Sequence, residues 1–310
     1  MRACSIIPRM FTVCAIGSAA IDIKARLARP ALDTTDVPGR ITLTPGGVSR
    51  NIAENLARLG AQAIFIGVLG DDVQGRYVLE HGRAAGIDVR PIVRSAWPTA
   101  SLAIVIDPAG RQIAGVFSGD ILHTLTPADL HPHLETIRAA QALVFDAGAP
   151  EAVLAYLADV ARPGTMLYGN PGSVALAARL SAVLEKLTLL TCNRFEAEAL
   201  IGTAIQSEAD ALHAARRLVA RGVQHAIVTL GARGMAYADA SRCEHRPAQP
   251  ARLIDATGAG DALAAALIFA RLRGASIDAA LTLGLRAAAL TCEAQASVSP
   301  VLSLTALHNT

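Results

Sequence analysis

The chain has 310 residues, of which 28 are Lys or Arg and 26 are Asp or Glu, so its formal net charge is +2. A hydrophobic fraction of 52% is enough to build a large core. The near-neutral charge gives no electrostatic reason to expect nucleic acid or an anionic membrane as a partner, and small polar substrates are the expected ligands.

Short apolar runs alternate with helical patterns along most of the chain. Runs bounded by Gly, Pro or Asn predict buried strands at Thr12–Ile16, Ala63–Val68, Ala142–Phe145, Thr165–Tyr168, Leu187–Leu190 and Ala226–Leu230. Helices are predicted at Ser49–Leu59, Gln74–Ala85, Glu151–Val160, Ser207–Arg221, Gly258–Leu272 and Ile277–Glu293. This alternation predicts an α/β fold with a mostly parallel sheet covered by helices on both faces.

The first apolar run has to be distinguished from a signal peptide. Pro8 and Arg9 interrupt it and Asp22 follows it, so Thr12–Ile16 is predicted to be a core strand. No run approaches the roughly 18 uncharged residues of a membrane span. Five scattered cysteines without a Cys-x-x-Cys spacing predict reduced thiols and a cytoplasmic protein.

A hairpin interrupts the strand–helix alternation. Ala100–Ile106 and Gln112–Phe117 are predicted strands, and Asp107–Gly110 between them has the turn sequence Asp-Pro-Ala-Gly. Such a hairpin in an α/β chain is a candidate lid over a substrate cleft. On the pattern alone it is equally a surface ornament or an oligomer contact.

The lysines exclude two familiar kinds of phosphate site. Lys24 and Lys186 are the only lysines in the chain, and neither follows a glycine-rich loop as the Walker motif requires. The strand lysine and His-Arg-Asp loop of protein kinases are missing as well. A phosphate site in this chain must therefore use other groups.

One such site is predicted at Asp255–Asp261, which reads Asp-Ala-Thr-Gly-Ala-Gly-Asp and runs directly into an apolar helix. The N–H groups of Gly258, Ala259 and Gly260 at the helix start predict an anion hole for a phosphoryl group. Asp261 lies in the first turn, where a carboxylate can accept a proton from an attacking hydroxyl. The structural alternative is a helix cap with an ordinary glycine turn.

A second segment with binding potential is Pro45–Gly60. Gly46 and Gly47 precede a predicted helix, and Asn51 projects from its first turns. Backbone and amide groups in this arrangement can hydrogen-bond vicinal hydroxyls. The alternative is a well-capped amphipathic helix that Gly60 terminates.

Together these segments resemble the two signatures of the ribokinase (PfkB) family of carbohydrate and nucleoside kinases, with Ala256-Thr257 where the family has a single Thr. Asp22 after the first strand, the Asn-x-x-Glu element Asn193–Glu196 and the turn Thr229–Gly234 match further family elements in order. The resemblance, over residues 12–300, implies a ribokinase-like three-layer α/β/α sandwich with a small β-sheet lid. We expect one domain, residues 1–310, with the lid formed by segments about 22–45 and 89–120.

The resemblance also implies a role for each matching residue. Asp261 would activate the substrate hydroxyl, and the transferring phosphate would be held by Gly258, Ala259 and Gly260. Sugar hydroxyls would bind to Asp22, Gly46, Gly47 and Asn51. ATP would lie against Asn193, Thr229, Gly231 and Gly234. Mg²⁺ with its waters would be positioned by Asn193 and Glu196. In several relatives the backbone around the first Asp of this signature binds K⁺, which would involve Asp255 and Thr257 here.

Within the family, the Arg-Asn-Ile-Ala-Glu-Asn-Leu run after Ser49 resembles the pseudouridine kinases, as do Gly119–Ile121 and Ser297–Pro300. The implied reaction is ATP-dependent phosphorylation of the ribose 5′-hydroxyl of pseudouridine. Asn170–Ser173, Leu176 and Ser49 itself depart from the subgroup's pattern. Ribokinase, adenosine kinase, guanosine/inosine kinase and fructokinase activities therefore stay open.

Two further alternatives come from other classes of protein. A non-catalytic nucleoside sensor has no need of Asp261, Asn193 and Glu196, so the presence of all three argues against it. A dinucleotide-binding enzyme would need Gly-x-Gly-x-x-Gly after the first strand, where Gly17 stands without further glycines. An exposed edge of the lid sheet can pair with a second copy, so a homodimer through the lid is expected.

Overall fold

The structure is a computed structural model, and it describes residues 11–31, 36–90, 92–109 and 112–308. Four residues used in the sequence arguments, Cys4, Pro8, Arg9 and Gly110, lie outside this part of the chain. The strands are β1 (Thr12–Gly17), β2 (Ala20–Leu27), β3 (Gly39–Gly46), β4 (Gln62–Gly70), β5 (Val93–Ser95), β6 (Ser101–Ile106), β7 (Gln112–Ser118), β8 (Ala142–Asp146), β9 (Met166–Asn170), β10 (Leu189–Asn193), β11 (His225–Thr229), β12 (Met235–Ala238) and β13 (Cys243–Arg246). The helices are α1 (Val48–Arg58), α2 (Val73–Ala84), α3 (Pro127–Leu130), α4 (Leu134–Ala139), α5 (Glu151–Val160), α6 (Arg194–Ile201), α7 (Glu208–Ala220), α8 (Ala259–Leu272), α9 (Ile277–Cys292) and α10 (Leu304–His308).

A large sheet forms the centre of the molecule. Its strand order in the described residues is β13-β12-β11-β10-β9-β8-β1-β4-β5. The pairs from β11 to β5 are parallel, and β12 and β13 add an antiparallel edge. This arrangement confirms the predicted α/β fold, although the sequence patterns did not predict the two edge strands.

Helices cover both faces of this sheet because its strands are apolar on both sides. On β1, Val13 and Ala15 belong to a buried apolar cluster that also contains residues of α1, α2, α8 and α9. Cys14 and Ile16 belong to a second buried cluster, with residues of α5, α6 and α7. The result is the three-layer sandwich that the resemblance implied. Within the described part of the chain, no helix has the length and apolarity needed to cross a bilayer.

The predicted elements agree with the structure to within a few residues at their ends. The helix predicted at Glu151–Val160 has those bounds. The strand predicted at Ala142–Phe145 continues for one more residue to Asp146, whose carboxylate is buried at the strand end. A charged residue ends an apolar run in the sequence, but a buried carboxylate that accepts several hydrogen bonds can stay in the strand. The described cysteines are free thiols, namely Cys14, Cys192, Cys243 and Cys292.

A separate small sheet has the order β3-β2-β6-β7. The predicted hairpin forms its β6–β7 pair, which is antiparallel, whereas β2 and β6 are parallel. One cross-strand row runs through Asp22, Leu102 and Phe117, which share one face of the sheet. Only Ser18 and Ala19 separate β2 from β1, so this sheet begins directly at the edge of the large one.

Candidate active site

Polar side chains collect where the parallel strands of the large sheet end. The last residues of β8, β9, β10 and β11 are Asp146, Asn170, Asn193 and Thr229. Asn193 and Thr229 are register partners, so these two predicted residues lie side by side. In open α/β sheets, ligands bind outside the carboxyl ends of the strands. This edge, with the small sheet next to it, is therefore the place for a site.

Two predicted segments that are far apart in sequence meet at this edge. Asp261 lies in the first turn of α8 and is 8% exposed. Its Oδ2 atom accepts a hydrogen bond of 2.8 Å from Nδ2 of Asn51, which lies 210 positions earlier in the first turn of α1. The structure thus brings Asp261 and Asn51 together at two neighbouring helix N-termini.

The surroundings of Asp261 set its acidity. Burial raises the pKa of Asp261 to about 7, and the charges of Asp146 and Asp22 also raise it. The Asn51 hydrogen bond and the Arg50 charge act in the opposite direction. A carboxyl group that titrates near neutral pH can both take up and release a proton, which is the property that a general base needs.

The loop before α8 presents free backbone donors. Gly258 caps the helix with φ 82°, and a Cβ atom there would overlap the Ser297 carbonyl, so only glycine fits. Within the described residues, the N–H groups of Gly258 and Gly260 have no hydrogen-bond partner, and Gly260 faces open space. The N–H of Ala259, the third predicted donor, is 3.2 Å from the Ala256 carbonyl and is already paired. Two free donors at a helix N-terminus remain for an anion.

Asp22 lies on the small sheet and faces the same region. It is 4% exposed, and its Oδ2 atom accepts a 2.8 Å hydrogen bond from Oγ of Ser297. A Cβ atom at Gly46 would overlap the Asp22 carboxylate, and one at Gly47, where φ is 92°, would overlap the backbone of Ser18 and Ala19. Both glycines are therefore needed, because a side chain at Gly46 would collide with Asp22 and one at Gly47 would collide with the β1–β2 connection. Burial raises the pKa of Asp22 against the Ser297 hydrogen bond and the nearby cations.

The sequence matches the pfkB family of carbohydrate kinases over residues 10–303. The chain belongs to this family. Such kinases are ATP-dependent phosphotransferases that act on a hydroxyl group. The match covers nearly the whole chain and includes both helix N-termini at which Asp261 and Asn51 meet.

Individual relatives support the same assignment. This kinase is 31% identical to the pseudouridine kinase of Escherichia coli over 299 residues, which cover 93% of this chain and 95% of the relative. It is 28% identical to the guanosine-inosine kinase of Exiguobacterium acetylicum, with 90% of this chain and 94% of the relative covered. Its fold is similar to that of an Arabidopsis thaliana ribokinase complexed with ribose and ATP, with a TM-score of 0.82, 22% identity, and 96% and 98% of the two chains covered.

Asn193 and Glu196 form a reciprocal cap of α6 in this kinase. Oδ1 of Asn193 accepts hydrogen bonds of 2.9 and 3.0 Å from the N–H groups of Phe195 and Glu196, and Oε2 of Glu196 accepts one of 2.9 Å from the Asn193 N–H. Burial raises the pKa of Glu196 against these hydrogen bonds. In the described residues, Oε1 of Glu196 has no hydrogen-bond partner. One carboxylate oxygen is thus free to accept a hydrogen bond from a water of a hydrated Mg²⁺, which fits the ion's preference for keeping its waters.

The remaining predicted nucleotide contacts have different surroundings. Oγ1 of Thr229 donates a long hydrogen bond of 3.4 Å to the Cys192 carbonyl. Gly231 has φ 62° and faces open space, as a residue beside a bound ligand can. A Cβ atom at Gly234 would overlap the Arg246 carbonyl, so packing against β13 accounts for this glycine without a nucleotide.

Asp255 is fully engaged with protein groups. Its Oδ2 accepts hydrogen bonds from Nζ of Lys24 at 2.8 Å and from Arg26 at 3.3 Å, and its Oδ1 accepts from the N–H and the hydroxyl of Thr257 at 2.9 and 2.7 Å. Burial alone would raise the pKa of Asp255, but these hydrogen bonds outweigh it and lower the pKa. Four donors occupy the carboxylate, so the Asp255 side chain has no acceptor site left for K⁺.

A buried ion pair that the sequence patterns did not predict lies beside Asn51. The guanidinium of Arg50 is 2% exposed, donates to Glu54 at 2.6 Å, and also bonds to Asn51 Oδ1 and the Gly46 carbonyl. It therefore holds the Asn51 amide with Nδ2 toward Asp261. The spacing of Arg50 and Glu54, four residues apart on a predicted helix, is the signal that could have revealed the pair.

The second group missed from the sequence is Asp146. One of its carboxylate oxygens accepts hydrogen bonds from the N–H and hydroxyl of both Ser18 and Ser49, at 2.5 to 3.0 Å, and the other accepts from the Gly148 N–H at 2.8 Å. This carboxylate fixes the β1–β2 connection to the start of α1. It directly follows a predicted strand, at the sheet edge where ligands bind, and that position was the available signal.

Proposed function

We propose that this kinase transfers the γ-phosphoryl group of ATP to the 5′-hydroxyl of a ribonucleoside, and that the nucleoside is pseudouridine. The observation that carries the chemistry is the buried Asp261 carboxylate, bonded to Asn51 beside the free N–H groups of Gly258 and Gly260. The substrate is supported by the 31% identity to a pseudouridine kinase over 93% of the chain.

In the proposed mechanism, Asp261 accepts the proton of the 5′-hydroxyl as its oxygen attacks the γ-phosphorus. The bond to the β-phosphate oxygen breaks and ADP leaves. The N–H groups of Gly258 and Gly260 and the positive end of the α8 dipole stabilise the negative charge on the transferring phosphoryl group. Asn193 and Glu196 would hold Mg²⁺ through its waters, and the ion would neutralise charge on the phosphates. No lysine is required at the phosphates.

Substrate hydroxyls would bind between α1 and the small sheet. Asp22 and the backbone of Gly46 and Gly47 lie on one side and Asn51 on the other. The Asp22 carboxylate accepts one hydrogen bond from Ser297 in the described residues, which leaves capacity for vicinal hydroxyls. We propose that the small sheet acts as the lid of a single domain.

An aromatic side chain on the small sheet favours a nucleoside over a free sugar. Phe117 is 51% exposed and lies in the same cross-strand row as Asp22, two strands away. Neighbouring strands are about 4.8 Å apart, so about 10 Å separates the two backbone positions. This spacing suits a ribose at Asp22 with its base extending toward Phe117, whose ring can cover the base. A free pentose would leave the ring uncovered.

The outer face of the small sheet supports a homodimer. Ile41, Leu43 and Val116 are 67%, 50% and 70% exposed and lie on the face opposite Asp22. Between them in the same rows are Ile23 and further small apolar residues. A continuous apolar face of this kind marks an interaction surface, and we propose a second copy of the chain as its partner. Action in the cytoplasm, where ATP is available, belongs to the same proposal.

Substrate preference is the decisive test. Purified protein is assayed with Mg·ATP and pseudouridine, uridine, guanosine, inosine, adenosine, ribose and fructose, and the substrates are ranked by kcat/KM. Pseudouridine is expected to rank first, and ³¹P–¹H coupling in the product should place the phosphate on the 5′-carbon. Guanosine or inosine ranking first would favour the activity named for the Exiguobacterium relative. A preference for ribose or fructose would overturn the nucleoside assignment.

A further inference from the structure

A buried lysine connects the small sheet to the loop that carries Gly258 and Gly260. Lys24 lies on β2, its side chain is 1% exposed, and its ammonium is 2.8 Å from Oδ2 of Asp255, a residue 231 positions later. Arg26, two residues along the same strand, reaches the same oxygen at 3.3 Å. Desolvating a lysine is costly, so a lysine this deeply buried needs such a partner.

The other oxygen of Asp255 holds the phosphate loop itself. It accepts hydrogen bonds from both the N–H and the hydroxyl of Thr257, the residue immediately before the cap of α8. The ammonium of Lys24, the carboxylate of Asp255 and the backbone of Thr257 therefore form a continuous chain of contacts. This chain ends at Gly258, whose N–H is one of the two free donors.

The Asp255 carboxylate cannot coordinate a further cation. Its two oxygens together accept four hydrogen bonds, which is their capacity. Two of the donors are themselves cationic, so a bound K⁺ would be repelled by Lys24 and Arg26 at short range. Protein groups alone therefore hold this carboxylate in place beside the phosphate loop.

We propose that Lys24 is a positioning residue whose ammonium replaces a monovalent cation at Asp255, so that phosphoryl transfer by this kinase needs no K⁺. The cation is part of the small sheet, so the order of the phosphate loop depends on the position of that sheet. This inference rests on the proposed role of the loop containing Gly258 and Gly260. It concerns how the loop is held and not which hydroxyl is phosphorylated.

The first experiment compares the unaltered enzyme in choline chloride and in KCl at equal ionic strength. We expect kcat to differ by less than about twofold and the melting temperature to be unchanged. A K⁺-specific rise in kcat of about tenfold, or a K⁺-specific rise in melting temperature, would overturn the proposal. The melting measurement needs no substrate, so it decides the cation question even if no nucleoside in the panel is phosphorylated.

The second experiment uses the two lysines of the chain as a matched pair. Lys24→Met removes the buried ammonium, whereas Lys186→Met removes one that forms an exposed ion pair with Asp159. We expect Lys24→Met to lower kcat by about tenfold or more with a smaller change in the nucleoside KM, and KCl or NH₄Cl, but not choline chloride, to restore part of it. Lys186→Met should match the unaltered enzyme in every measurement. Equal kcat values for the two variants would refute the positioning role.

A charge-preserving variant covers the case in which Lys24→Met does not fold. Lys24→Arg keeps a cation at the same position, although the planar guanidinium differs in shape from an ammonium. We expect it to retain activity and to remain insensitive to K⁺. A folded Lys24→Arg enzyme whose kcat depends on K⁺ would overturn the proposal, because the cation on β2 would then not be the one that holds Asp255.

Discussion

Replacing Asp261 by Asn should separate catalysis from stability in one substitution. The change preserves shape and removes the carboxylate that burial brings to a pKa of about 7. Loss of a general base costs about 100- to 10,000-fold in rate, and we expect kcat to fall by this much while nucleoside binding changes little. Because Asn does not titrate, the variant also loses the energetic penalty of ionising a buried acid.

The size of that penalty follows from the pKa. A pKa of about 7 in the folded protein lies about three pH units above the usual Asp value, and each unit corresponds to about 1.4 kcal/mol. Because the folded-state pKa is raised, Asp261 does not lower the free energy of unfolding below about pH 4, where the carboxyl is protonated in both the folded and the unfolded protein. As the pH rises from about 4 through about 7, the free energy of unfolding falls, because the unfolded chain releases this proton at a lower pH than the folded protein does. Relative to the unaltered protein, Asp261→Asn should therefore gain up to about 4 kcal/mol between about pH 4 and pH 8.

Urea denaturation of the unaltered protein and of Asp261→Asn at several pH values measures the difference in their free energies of unfolding. Initial rates measure turnover. Asp159→Asn, which removes an exposed carboxylate far from the site, is the control for the loss of one negative charge. The reasoning fails if the Asp261→Asn difference is flat from pH 4 to pH 8, since burial would then not perturb this acid. It fails on the catalytic side if kcat of the variant stays within about tenfold of the original.

Four further results are expected. In the unaltered enzyme, kcat/KM should rise about tenfold from pH 6 to a plateau above pH 8, because only ionised Asp261 acts as a base and its pKa is about 7; a profile that falls over this range would contradict the assignment. Phe117→Ala should raise the pseudouridine KM by about tenfold, as loss of a stacking ring does. Val116→Ala, on the opposite face of the small sheet, should leave this KM unchanged, and equal effects of the two variants would argue against stacking of the nucleoside base on Phe117. Glu196→Gln should increase the Mg²⁺ concentration needed for half-maximal rate several-fold, measured by Mg²⁺ titration at fixed ATP, and an unchanged requirement would leave Glu196 as a helix cap only. Leu43→Arg should convert a dimer into a monomer in size-exclusion chromatography with light scattering, a result that requires the unaltered protein to be dimeric.

The large sheet and the helices on it could be predicted because their signals are local. The helix at Glu151–Val160 has the predicted bounds, and the strand at Thr12–Ile16 differs by one residue at its end. The continuous apolar run of the strand and the helical spacing of apolar residues in the helix both report burial directly. The edge strand β13 escaped prediction because its sequence, Cys-Glu-His-Arg, is mostly polar and only partly buried, so it contains no apolar run.

The two segments that carry the site could be predicted from their local sequences and from the family resemblance, but the contacts between them could not. Asp261 and Asn51 were identified on separate motifs, and the structure adds the hydrogen bond between them. The contact of Lys24 with Asp255 joins a strand of the small sheet to the loop before α8, 231 positions later. No local pattern encodes such a pair, because charge in the sequence does not tell which carboxylate a lysine will reach. In the sequence analysis, Lys24 served only to exclude a Walker loop.

The connectivity of the small sheet has a consequence for how the chain folds. β2 follows β1 after two residues, but its parallel partner β6 lies far downstream, with Ile21 paired to Ser101, 80 positions later. Closing a loop of that length costs entropy that only the finished pairing repays. The intervening residues include β4, a strand of the large sheet, and the helices α1 and α2, whose buried residues belong to the core on one face of that sheet. The small sheet should therefore form late in folding, after the scaffold beneath it, and be the first element to open when urea is added.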